Sequence, residues 1–242
     1  MVALGCCALG AGPVAAQVEH YAMLGIIGTE RVGANLAIED HKRFVEGHYF
    51  TAAERVDRPL QGEVVGENVT LTQSDGGRFT LHFETTDASA ARPLDFYTST
   101  ALVGEFVRGD VRWPVRLGFD NVGGAQGAER YQDVTSASAE QFEAMVARFL
   151  DAVQAGHAGE AARAVDYPLR VNGARPMVLR NRAQFVACWR VIFSPCYRAQ
   201  LAQGVPHEMF VRNGAAMVAN GAAWFGAKGA KVLNVGSCRA RP

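Results

Sequence analysis

Several things are missing from this chain, and each absence excludes a class of protein. It has no block of like charge, and its 24 basic and 24 acidic residues cancel over 242 positions. A nucleic-acid groove or a patch for anionic membrane therefore has no electrostatic footing. Beyond residue 17 no apolar run approaches the roughly 18 residues that suggest a membrane-spanning helix, so no span is expected. There is no Gly-x-Ser-x-Gly elbow, no phosphate-cradling glycine loop and no His-Glu-x-x-His. The six histidines are scattered. His41 and His48, an odd number apart, would point to opposite faces of one strand. No metal site, no cofactor and no catalytic set is expected.

Cysteine is scarce too, at five residues. Residues 1–17 read as a signal peptide: positions 2–14 are apolar and small, and Val14-Ala15-Ala16 supplies small residues before Gln17. No basic residue precedes that run, as a leader would ordinarily have, and Ala3-Leu4-Gly5-Cys6 is a poor lipobox. Removing the leader takes Cys6 and Cys7 and leaves Cys188, Cys196 and Cys238 as disulfide candidates. On one helix, Cys188 and Cys196 would lie about 12 Å apart, whereas a disulfide needs less than about 7 Å. They cannot bridge each other unless Pro195 breaks the helix sharply. If a bond forms, Cys238 is one end of it; otherwise these are two core thiols and a free tail cysteine. Three cysteines without a close histidine pair make a poor zinc site. The expected location is the periplasm or the exterior.

What is present is a change of rhythm near Ser136. Apolar content of 49% with 20% charge supports a globular core, and the rhythm divides it in two. Residues 21–133 alternate as strands do. Phe79, Leu81 and Phe83 share one face, as do Val111, Trp113, Val115, Leu117 and Phe119. Weaker alternations occupy 34–38, 45–49, 60–65, 69–71 and 102–106, with turn signals at 39–40, 65–68, 74–77 and 108–110. Short, evenly spaced strands pair with their neighbours, and closing the meander hides its edges, which predicts an antiparallel barrel or half-barrel. Gly28, Gly47, Gly62 and Gly104 interrupt these patterns where a barrel bends. Gly47-His48-Tyr49-Phe50 followed by Pro59-Leu60-Gln61-Gly62 resembles a pattern in avidin-like and lipocalin-like barrels. Trp113 is the only tryptophan in this module, so the tryptophan box of the avidins has no counterpart and biotin binding is not implied.

Residues 138–238 read as α+β. Ser138 and Gln141 form a capping box. Phe142, Met145, Val146, Phe149, Leu150 and Val153 follow at three and four spacing, and Gly156 ends the helix. A short helix at 160–165, a strand at 167–172 and a hairpin to 177–179 come next. A helix capped by Asn181 and Gln184 buries Phe185, Cys188, Trp189 and Ile192 until Pro195 kinks or ends it. Strands at 208–212, 216–225 and 231–235 close the chain. This order resembles the cystatin-like α+β cone shared by nuclear transport factor two and ketosteroid isomerase, as do 149–156 and 219–225. The resemblance implies a curved sheet around a long helix, a pocket, and a sheet face open to homodimerisation. It chooses no function by itself.

Isomerase chemistry needs a carboxylate base in an apolar pocket facing a proton donor. Asp151 beside the apolar stripe and Asp166 before Tyr167-Pro168 are the candidates, though the first suits a solvent face and the second a turn. A dehydratase would want a His–Asp pair, and His157 and His207 read as exposed loop residues. Binding is the better reading. Asn220 and Trp224 share a face of one long strand, Asn234 lies on the strand beside it, and Arg170 and Asn172 share a face of the first strand. These five are the expected ligand-binding residues, for a small apolar ligand; the alternative occupant is another exported protein. The same residues would also be explained by a core tryptophan and polar groups facing water.

Overall fold

The computed structural model describes residues 17–122 and 130–237. The chain divides into two compact units, Met1–Gly123 and Gly124–Pro242. The expected leader (apart from Gln17) and Cys238 lie outside the described residues.

In the first unit, strands β1 (Val18–Ile27), β2 (Glu30–Glu39), β3 (Arg43–Thr51), β4 (Arg58–Val65), β5 (Asn68–Thr72), β6 (Arg78–Glu84), β7 (Ala101–Arg108) and β8 (Val111–Val122) form a meander. Each pairs antiparallel with the next, and β8 returns to β1 to close a barrel. The inward row is the one that the alternation marked: in β6, Phe79, Leu81 and Phe83 are buried between exposed Arg78, Thr80 and His82. Strand β1 had no such signal, because its outward row includes Leu24 and Ile26. Two glycines let neighbouring strands close up. A Cβ on Gly25 would lie 1.9 Å from the Arg116 carbonyl oxygen, and one on Gly104 would lie 2.0 Å from that of Thr80. Gly28, expected within a strand, adopts φ +61° in the β1–β2 turn.

The second unit opens with α1 (Ala139–Ala155). Its capping box is formed by Ser138 and Gln141, and Gly156 closes it in the left-handed conformation. Then come α2 (Ala158–Ala161), a 3-10 turn (Ala162–Ala164), β9 (Val165–Asn172), β10 (Met177–Leu179), α3 (Arg182–Ala187), α4 (Trp189–Ile192), α5 (Pro195–Leu201), β11 (Phe210–Arg212), β12 (Ala215–Val218), β13 (Ala223–Gly226) and β14 (Gly229–Asn234). The sheet runs β10-β9-β14-β13-β12-β11, with β14 and β9 parallel and the other pairs antiparallel. The unit is therefore a mixed sheet with helices, α+β in class. Phe149 of α1 meets Phe225 of β13 edge-on at 5.4 Å, and Phe142, Phe185 and Tyr197 complete a filled core.

Two local expectations fail for identifiable reasons, and a third holds only in part. The helix before Pro195 does end, at Ile192, but Ser194 then caps a new one with the proline in its first turn, where its missing N–H costs nothing. The strand expected over 216–225 is a hairpin, because Ala219, Asn220 and Gly221 all take positive φ. Tyr131, read as part of the first module, packs on Phe142 at 4.9 Å in the second core. None of the described helices is long and apolar enough to cross a membrane.

Candidate ligand-binding cleft and a buried charged cluster

The five expected binding residues do not converge on a pocket between α1 and the sheet. Trp224 pairs with Met217 and Val232, and Val232 pairs with Arg170, on the sheet face opposite buried Ala223 and Phe225. Arg170, exposed there, borders a shallow hollow of about 370 Å³ together with Asp166 and Lys231. Asn220 is exposed in the β12–β13 turn. Asn172 and Asn234 do meet, but they satisfy each other: Asn172 Nδ2 donates to Asn234 Oδ1 at 2.8 Å, and Asn234 Nδ2 donates to the Gly221 carbonyl at 2.6 Å. The pair fastens that turn to the ends of β9 and β14. Of the cysteines, Cys188 is a free thiol and Cys196 is disulfide-bonded.

The residues that sequence reasoning missed form a buried charged cluster in the second unit. Glu143, in the second turn of α1, has 10% of its side chain exposed, and Arg130, His207 and Glu208 have 8%, 7% and 6%. Glu143 Oε1 accepts the Tyr131 hydroxyl proton at 2.7 Å and the Glu208 N–H at 3.2 Å, with Arg130 at 3.6 Å. Its Oε2 lies 2.6 Å from His207 Nδ1. A carboxylate only accepts, so the imidazole proton on that side sits on Nδ1. The Tyr131 oxygen in turn accepts the Met209 N–H at 3.0 Å. Burial, then the charge of Glu143, pushes the Tyr131 phenol well above its ordinary pKa. His207 is thus buried, not an exposed loop histidine; its carboxylate partner, 64 residues away, leaves no local signature. With this many donors on one carboxylate, the cluster ties three chain segments together.

The open site lies along the outer flank of α1. A cleft of about 550 Å³ has Met145, Ala152 and Ala164 in its floor. Arg148 on α1, Arg163 on the 3-10 turn and Lys228 between β13 and β14 stand around it, all exposed. Among the described residues none of these three cations has a carboxylate within 4 Å, whereas Glu160 on the same rim is engaged by His157 at 3.1 Å. Asp151, one of the two carboxylates considered for catalysis, also lines the cleft; Asp166 does not.

No protein-family model, curated protein or solved structure matches the chain. The reading of the cleft therefore rests on its own chemistry. An apolar floor with cations from three separate elements suits a ligand that is part apolar and part anionic. The cations carried no signal in the sequence because 148, 163 and 228 meet only after the sheet has formed.

Proposed function

We propose that the protein is an exported, non-catalytic binding protein whose second unit holds a small, partly apolar anion in the cleft beside α1. The observation that carries this reading is the convergence on an apolar floor of Arg148, Arg163 and Lys228, none of them ion-paired among the described residues. A disulfide at Cys196 supports export, since such bonds persist in oxidising compartments. A long helix against a mixed sheet is compatible with a cystatin-like cone. In this unit, however, the space under α1 is filled by aromatic side chains, so the ligand belongs beside the helix and not beneath it.

The test is a titration with 8-anilinonaphthalene-1-sulfonate, an apolar anion. Binding should weaken roughly tenfold in R148Q/R163Q/K228Q, since about 0.5 kcal/mol per exposed charge sums to about 1.5 kcal/mol. Added salt should weaken it as well. Equal affinity in wild type and triple variant overturns the assignment. Native mass spectrometry of protein taken from its own envelope would then identify the natural ligand. Because Asp151 lines the same cleft, a ketosteroid isomerase-like enzyme is the second reading. Turnover abolished by D151N with the fold intact would establish it in place of simple binding.

A further inference from the structure

The loop joining β6 to β7, residues 85–100, does not stay outside the barrel. Leu94 and Phe96, each 2% exposed, belong to the barrel core. The Phe96 ring lies 5.0 Å from Tyr21, 4.9 Å from Phe83 and 5.9 Å from Phe119, the rings that line this mouth. The flanking residues Ser89, Ala91, Arg92, Pro93 and Tyr97 are exposed. Much of the loop's hydrogen bonding is internal: Asp87 accepts from Ser89, and Asp95 accepts from Tyr97 and Thr98. Its middle is tied to the barrel by Glu67 in the β4–β5 turn, which accepts the Leu94 N–H at 2.6 Å and faces Arg92 at 3.5 Å. Among the described residues the buried Ser99 hydroxyl has no hydrogen-bond partner. Buried hydroxyls ordinarily have one, so the inserted loop is imperfectly satisfied.

We propose that residues 94–96 act as a displaceable self-ligand, occupying a barrel site that takes a small neutral apolar molecule no larger than the Leu94 and Phe96 side chains together. The rim also offers polar partners for one end of such a molecule. Tyr21 Oη lies 2.7 Å from Glu19 and 2.8 Å from His41, and the Tyr97 ring covers that histidine at 5.4 Å. An eight-stranded barrel has room either for its own side chains or for one small ligand. Here the loop supplies side chains that the strands do not. This site is independent of the α1 cleft.

Titration of the full chain with N-phenyl-1-naphthylamine, a neutral apolar fluorophore, tests the proposal when followed by hydrogen exchange of the 85–100 peptide. Saturable binding should come with loss of protection in that peptide. E67Q, which weakens the latch at a surface turn, should tighten apparent binding about three- to tenfold, the difference between a charge-assisted and a neutral hydrogen bond. R148Q/R163Q/K228Q should bind the fluorophore as wild type does. Binding with 85–100 still protected, no binding in either wild type or E67Q, or loss of binding in the triple cation variant would each overturn it.

Discussion

At the scale of single residues, the second unit depends on one carboxylate. Glu143 is buried against Tyr131, His207, Arg130 and the Glu208 amide, and removing it takes the closest carboxylate from a buried arginine and a buried histidine. Breaking a buried pair from one side costs about 3–5 kcal/mol, and E143A should lower stability by that order in urea unfolding. Y131F should cost less, about 1–3 kcal/mol, because it leaves the buried Met209 N–H without its acceptor. An E143A protein as stable as wild type would mean that the cluster is decoration. Neither residue stood out in the sequence. Glu143 follows Phe142 in a good helix and looks like any polar neighbour of an apolar stripe. Tryptophan and asparagine did stand out, at Trp224 and Asn220. They mislead because three successive positive-φ residues break the strand that would have aligned them.

At the scale of elements, regular patterns were legible and special backbone was not. The alternation at 78–84 and the Ser138–Gln141 box each correspond to an observed element, since their signals are local. The α3–α4–α5 series was hidden because a free cap at Ser194 turns a helix-breaking proline into a helix-starting one. The β6–β7 loop was invisible as a core element, because two buried side chains in sixteen residues show no period. Its latch gives a pH prediction. The Leu94 N–H, then Arg92, hold the Glu67 carboxyl below its usual range. A lowered folded-state value means the latch contributes fully above the unfolded pKa of about 4.3 and is lost as pH falls through the folded value. Protection of the Leu94 amide, corrected for intrinsic exchange, should therefore drop between pH 5 and the acid limit of folding. In E67Q it should be flat across that window. A parallel acid-dependent drop in E67Q would assign the titration to another group.

At the scale of the whole molecule, the rhythm change near Ser136 marked two modules, and the chain divides at Gly123. Each unit has its own buried core. Fragments 17–122 and 130–242 should thus each unfold in one cooperative transition when expressed alone. The disulfide sharpens that expectation. Cys188 is free, and with Cys6 and Cys7 expected in a removed leader, Cys238 is the partner expected for Cys196. Both positions belong to the second unit, in sequence 42 residues apart, and closing such a loop stabilises by about 2–4 kcal/mol through the unfolded chain. Reductant should then lower the transition of fragment 130–242 and leave that of the barrel fragment where it was. Peptide mapping without reductant should recover Cys196 joined to Cys238. A mapped bond to any other cysteine, or a barrel transition that moves with reductant, would show that the bond does not lie within the second unit alone.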